Sequence, residues 1–208
     1  MTTFYIVRHG ETDWNKKRIA QGHKDIPLNE TGELQAKEAA IKLRNIQFDL
    51  AFSSDLLRAK RTAEIIILNR DLEIKTTKAL REKKLGTLEG QSSDVFHAQM
   101  KLLKALSHND RLKHKLNDTS ETDEEVISRI FTFLRETAIA YPEKTILVTS
   151  HGGIFHMILL HLGVMDYTAS DAMRIKNTGY IKLESDGVEF FVKEQIGIES
   201  LGETPENV

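Results

Sequence analysis

Two short apolar runs, Thr3–Val7 and Lys144–Ser150, each end on a histidine followed at once by glycine, in "FYIVRHG" and "TILVTSHGG". Runs of this length, rich in β-branched and aromatic residues, are the pattern of fully buried strands, which occur where both faces of a sheet are covered. A helical pattern follows each, so the runs are expected to be parallel strands of an α/β sheet. In such sheets ligands bind in the crevice outside the carboxyl ends of the strands. His9 and His151 therefore converge on one crevice.

The rest of the chain fits the same scheme. Thr31–Ile46 places Leu34, Ala36, Ala39, Ala40, Leu43 and Ile46 at helical spacing. Phe48–Ser54 is a second strand, with a helix from Asp55, and the stretch from Leu72 to Leu80 is a third. Helical stretches are expected over Val95–Leu106 and Glu124–Ala140, the latter opened by a capping box at Thr122–Glu125. A helix follows His151, and Gly179–Glu194 forms a hairpin turning at Ser-Asp-Gly. The expected fold is a three-layer α/β/α sandwich with a mostly parallel sheet, one domain over residues 1–197, and a flexible acidic tail over 198–208.

Charge and composition narrow the function. With 29 Lys and Arg against 31 Asp and Glu, the formal charge of −2 gives no reason to expect nucleic-acid binding or a membrane surface as partner. No cysteine is present, so disulfides and thiolate chemistry are excluded. The opening "MTTFYIVRHG" has neither the basic start nor the apolar length of a secretion signal or membrane span, and a cytoplasmic location is expected. The sequence carries no signal for an oligomeric state.

A lone histidine at a strand end is as readily a packed structural residue as a functional one. Two in matching contexts, with Arg8 beside the first, favour a phosphate site: a guanidinium offers a planar fork to phosphate oxygens. A helix starting at Gly152 adds free N–H groups aimed at an anion. There is no His-Glu-x-x-His pattern and no acidic cluster beside the histidines, so neither metal nor cofactor is expected. His23, His97, His108 and His114 are expected at the surface, and His156 and His161 in helix packing.

Five stretches occur in order: "RHGETDWN", "QGHKDIPLNETGELQA", "SSDLLRAKRTAEII", "LREKKLGTLEG" and "VTSHGG". Together they resemble the histidine phosphatase superfamily, or phosphoglycerate mutase-like family, from Phe4 to about Leu183. The resemblance implies that His9 is a nucleophile that becomes phosphohistidine, in a pocket of Arg8, Arg58, His151 and Asn15. It makes Glu82 the proton donor, ahead of Glu89 and Glu64, and assigns Gln21 and Gly22 to a substrate-side loop. Phosphoryl transfer needs in-line positioning and positive charge around the equatorial oxygens, which Arg8, Arg58 and an imidazolium at His151 would supply. The free nitrogen of a neutral His9 is expected to face phosphorus while the other donates to a backbone carbonyl, and Gly10 to give the ligand room.

Mutases of this family carry a long arginine-bearing insertion after the segment matching "GTLEG". The corresponding lid here, residues 91–122, is short, has no adjacent arginine pair, and reads Ser120-Glu121-Thr122 where the family has a Gly/Cys-Glu-Ser motif. Water is therefore the expected acceptor and a small phosphorylated metabolite the expected substrate. A mutase, a sugar bisphosphatase and a non-catalytic phosphate-binding member are the alternatives. The lid is basic, with Lys101, Lys104, Arg111, Lys113 and Lys115 against Asp110. This is either a solvated helix face or a device that steers polyanionic substrates.

Overall fold

The computed structural model describes residues 1–200. Six strands form one sheet: β1 (Thr2–Arg8), β2 (Leu50–Ser54), β3 (Ile74–Thr77), β4 (Thr145–Ser150), β5 (Met173–Ser185) and β6 (Phe190–Ser200). Their order is β3-β2-β4-β1-β5-β6. The first four in this order pair in parallel, and β5 and β6 add an antiparallel hairpin. The helices are α1 (Asp13–Lys16), α2 (Glu30–Lys42), α3 (Leu57–Ile66), α4 (Ser93–Leu102), α5 (His108–Lys113), α6 (Asp123–Ala140), α7 (Gly152–His161) and α8 (Tyr167–Asp171). None is long and apolar enough to cross a membrane.

β1 shows why the sheet is covered on both faces. Its alternation sends Phe4 and Ile6 into a core with α6 and α7, and Tyr5 and Val7 into a second core with α2 and α3. Each such side chain contributes about 1.5–3 kcal/mol when buried. From Phe4 to Val7 every side chain faces one of these cores, and Arg8 is the first charged residue of the strand, at its carboxyl end.

Several boundaries differ from the sequence-based expectation for identifiable reasons. α2 ends at Lys42, and Leu34, expected on its buried stripe, is 59% exposed. The buried face is instead the narrow one of Gly32, Ala36 and Ala39, because the start of α2 lies against the loop after β1. Asp55 does not open α3; its carboxylate takes the Arg81 fork at 2.7 Å through both oxygens. The expected third strand keeps only Ile74–Thr77, and the helix expected over Val95–Leu106 breaks at Leu102 into a single tighter turn. Thr122 and Glu125 form the capping box of α6 as expected.

The hairpin is longer than expected at both ends. Its turn is held by Asp186, whose carboxylate accepts from the N–H groups of Val188 and Glu189. β6 runs through Ile198, Glu199 and Ser200, which were expected in the tail; the other tail residues, 201–208, lie outside the described residues. Val7 pairs with Tyr180, so residues 173–179 continue past the end of β1 and overhang the carboxyl edge of the sheet.

Candidate active site

Register brings the two histidines together. Arg8 lies beside Ser150 in the parallel β1–β4 pair, and the His9 N–H extends the ladder to the Ser150 carbonyl at 3.0 Å. The next residues, His9 and His151, leave the sheet side by side with ring centroids 5.1 Å apart. Both are buried, at 3% and 0% exposure.

Their hydrogen bonds assign opposite tautomers. His9 Nδ1 lies 2.6 Å from the Gly10 carbonyl, which only accepts, so Nδ1 carries the proton and Nε2 a free lone pair. Arg58 Nε donates to His151 Nδ1 at 3.2 Å, so on this ring the proton sits on Nε2. One ring offers a lone pair and its neighbour an N–H. Burial, then the charges of Arg58 and Arg8, push His9 well below its ordinary pKa. Burial, Arg58 and His9 do the same to His151. The imidazolium expected at His151 is therefore a neutral donor.

The two arginines are fixed before any ligand arrives. Arg58 is fully buried on α3, with Nη1 on the Lys24 carbonyl at 2.7 Å and Nη2 on the Gly22 carbonyl at 2.8 Å. With Nε on His151, three of its five N–H groups are used and two are left. Arg8 donates through Nη1 to the Ile175 carbonyl on the overhang of β5. Burial lowers both to about 10, partly offset by Glu82, so both are cations at neutral pH. Arg8 Nε and His151 Nε2 are buried donors with no acceptor among the described residues. Buried donors are almost always satisfied, so two together beside two cations fit an oxyanion.

Glu82 sits across from these groups. Its Oε1 accepts from the Lys83 N–H at 2.8 Å and its Oε2 from the Gly153 N–H at 3.1 Å, in the first turn of α7. A Cβ at Gly153 would lie 2.4 Å from Oε1, so the glycine is required by the carboxyl's approach. The Glu82 carbonyl is held as well, by Arg129 Nη2 at 3.0 Å and His23 Nε2 at 2.8 Å. The rival carboxylates are elsewhere: Glu64 pairs with Arg61 on the surface, and Glu89 accepts from the N–H groups of His23 and Leu85.

The sequence model of the histidine phosphatase superfamily (branch 1) matches residues 4–196. The chain belongs to this superfamily. An uncharacterized phosphatase, PhoE, of Bacillus subtilis is 36% identical over 162 residues, 78% of each chain. A broad-specificity phosphatase of Saccharomyces cerevisiae is 31% identical over 215 residues, covering 96% of this chain and 87% of its own. A phosphoserine phosphatase mutant from Entamoeba histolytica, solved in complex with phosphoserine, superposes with a TM-score of 0.80. It is 27% identical and covers 94% of this chain and 97% of its own.

The remaining expected residues of this histidine phosphatase have specific places. Gly22 adopts a left-handed φ of 49°, with Glu89 filling the space beside it, and its carbonyl is thereby aimed at Arg58. Gln21 is buried, and its Oε1 has no partner among the described residues. The Asn15 oxygen accepts from the Thr12 N–H and hydroxyl in the cap of α1, which leaves its amide N–H groups as what it can offer a ligand. Gly152 opens α7 next to Arg8; a Cβ there would stand 3.3 Å from Arg8 Nε. Gly10 was expected to make room for a ligand. A Cβ there would instead strike the Gly32 carbonyl at 2.4 Å, so the space is taken by the start of α2. His23 is half-buried rather than exposed, because of its bond to the Glu82 carbonyl.

Other residues that hold the histidine phosphatase site were not expected. Asn177 Nδ2 donates to the His9 carbonyl at 3.0 Å from the β5 overhang. Thr62 Oγ1 accepts from the Gly10 N–H at 3.0 Å and donates to the Arg58 carbonyl at 2.7 Å. Arg129 grips both Glu121 oxygens while holding the Ala79 and Glu82 carbonyls. In the lid, Arg111 is buried with its guanidinium 4.0 Å from the centre of the Tyr167 ring, so it is not part of a solvated basic row. Among the described residues, no group of three or more His, Asp or Glu side chains is arranged to hold a metal ion.

Proposed function

We propose that this chain hydrolyses phosphate monoesters of small metabolites through a phosphohistidine at His9. The observation that carries this reading is the pair of opposed tautomers. The Gly10 carbonyl holds the His9 proton on Nδ1, which frees Nε2 to attack phosphorus. As the N–P bond forms and the ester P–O bond breaks, Glu82 gives its proton to the departing oxygen. Water then attacks the phosphohistidine and returns a proton to Glu82, releasing phosphate and restoring the His9 lone pair. Arg8, Arg58, the His151 Nε2–H and the Gly152 N–H at the start of α7 surround the phosphoryl oxygens in this scheme. Asn15 and Gln21 contribute from the loops that border the site.

Water as acceptor is supported by the two relatives described as phosphatases. The phosphoserine bound to the Entamoeba protein supports a small phosphorylated metabolite as substrate class. One catalytic unit that includes β6 to Ser200 belongs to the same reading, as does a cytoplasmic setting, which suits a chain without cysteine.

Turnover of 4-nitrophenyl phosphate in EDTA between about pH 5 and 8 is expected. His9→Ala should abolish both turnover and acid-labile labelling from a phosphorylated substrate. A folded wild-type protein that turns over no phosphate monoester overturns the reading. Isomerisation of 3-phosphoglycerate that outruns phosphate release, stimulated by 2,3-bisphosphoglycerate, assigns the site to a mutase instead.

A further inference from the structure

A buried ion pair stands next to Glu82 and has no part in the scheme above. Lys83 Nζ lies 2.5 Å from Asp123 Oδ1, with the two side chains only 13% and 6% exposed. The other Asp123 oxygen accepts from the Tyr167 hydroxyl at 2.8 Å. The Tyr167 ring carries the Arg111 guanidinium at 4.0 Å and the His108 ring at 5.2 Å, both from α5 in the lid. An unbroken chain of contacts thus runs from the lid, through Tyr167, Asp123 and Lys83, to the N–H that holds Glu82 Oε1.

Burying both charges of an ion pair is costly, and well-packed apolar residues in its place are often as stable or more so. Stability is therefore a poor reason for this pair, whereas a fixed geometry is a good one. The path of residues 82–84 is already secured without it: Arg129 holds the Glu82 carbonyl, and Lys84 donates its N–H to the Glu121 carboxylate while its carbonyl accepts from the Glu121 N–H. The Lys83 side chain adds a further anchor on the Cα83 side of the 82–83 peptide, the plane whose carbonyl Arg129 and His23 hold and whose N–H donates to the carboxyl. Proton donation succeeds only within a narrow range of carboxyl orientations.

We propose that Asp123 is a positioning residue for Glu82, acting through Lys83, and that Tyr167 makes the seat of the carboxyl depend on the lid. This rests on Glu82 being the proton donor. The consequence is selective: esters whose leaving oxygen needs a proton depend on the pair, while those leaving as stable phenolates do not.

The test compares kcat/KM for 4-nitrophenyl phosphate with that for phosphoserine and glycerol phosphate, in wild type, Glu82→Gln, Asp123→Asn and Tyr167→Phe. Asp123→Asn keeps a side chain able to accept from Tyr167 and removes the charge facing Lys83. It should lose about tenfold or more on the alkyl esters and less than about threefold on the aryl ester. Tyr167→Phe, which removes one hydroxyl, should show the same bias more weakly and serves if Asp123→Asn fails to fold. Equal losses on all three substrates, or none, in folded variants overturn the inference while leaving the phosphatase reading intact, provided Glu82→Gln shows the bias. If Glu82→Gln lacks the bias, the proton-donor assignment fails and the inference with it. If wild type hydrolyses none of the three, both fail.

Discussion

Gly153→Ala should separate activity from stability in one substitution. The new Cβ would stand 2.4 Å from Glu82 Oε1, against about 3.4 Å for an ordinary contact, so the carboxyl must retreat by about 1 Å. The atom it meets is the free end of a side chain, and residue 153 has no left-handed backbone to protect. Retreat is cheap. Alanine in place of glycine in the first turn of α7 should also favour the helix by up to about 1 kcal/mol. Displacing a reacting group by about 1 Å costs on the order of a hundredfold in rate, or about 2.7 kcal/mol of barrier. Thermal melting should therefore show a Tm unchanged or slightly raised, while kcat/KM on alkyl phosphates falls about a hundredfold. Activity within about threefold of wild type would mean that the Gly153 contact does not fix the carboxyl. A Tm several degrees lower would mean that the clash is relieved by the backbone, and the reasoning from a flexible carboxyl would be wrong.

Two further outcomes test other contacts. Gly32→Ala should cost about 1–3 kcal/mol, since its Cβ would lie 2.1 Å from the backbone oxygen of Glu11, which cannot swing away; an unchanged Tm would refute the close packing of α2 on the loop after His9. His9 and His151 are held neutral with pKa values well below the ordinary 6.5. Below that pH the unfolded chain binds more protons than the folded one, so stability should fall as pH drops through about 6.5, by up to about 1.4 kcal/mol per pH unit for each ring. Urea midpoints at about pH 7.5 and 5.5, above the carboxylate range, measure this. A higher midpoint at the lower pH would mean the folded rings take up protons.

Much of the site was legible because it lies at the ends of strands. β1 and β4 are continuous apolar runs, and the parallel register that sets His9 beside His151 follows from two such runs meeting in one sheet. What escaped notice depends on partners distant in sequence. The tautomer of His151 is fixed by Arg58, 93 positions away, and neither local pattern shows the bond. Asn177 sits in a stretch of β5 where Arg174 and Lys176 interrupt the apolar pattern, so the hairpin seemed to begin at Gly179 and its overhang was hidden. Gly10 is instructive in another way. A glycine beside a binding site suggests room for a ligand, yet the close neighbour here is a second glycine, Gly32, and only a tertiary contact distinguishes the two uses. Arg111 likewise belonged to a row of charges by composition, and an aromatic ring far along the chain removed it.

β1 precedes the other five strands in the chain, and both of its neighbours in the sheet come late: β4 begins at Thr145 and β5 at Met173. On the ribosome, at about 5–20 residues per second, the segment carrying Arg8 and His9 waits on the order of ten to thirty seconds before Tyr180 exists to pair with Val7. Until β4 has been made, that apolar strand has two open edges, and until Tyr180 it still has one, each a template for other nascent chains. A chain truncated before Ile175 would carry both histidines and both arginines, yet lack the Ile175 carbonyl and the Asn177 amide that hold Arg8 and His9. The hairpin is thus the last element that the seats of Arg8 and His9 wait for, so the site at the start of the chain is completed only by residues near its other end.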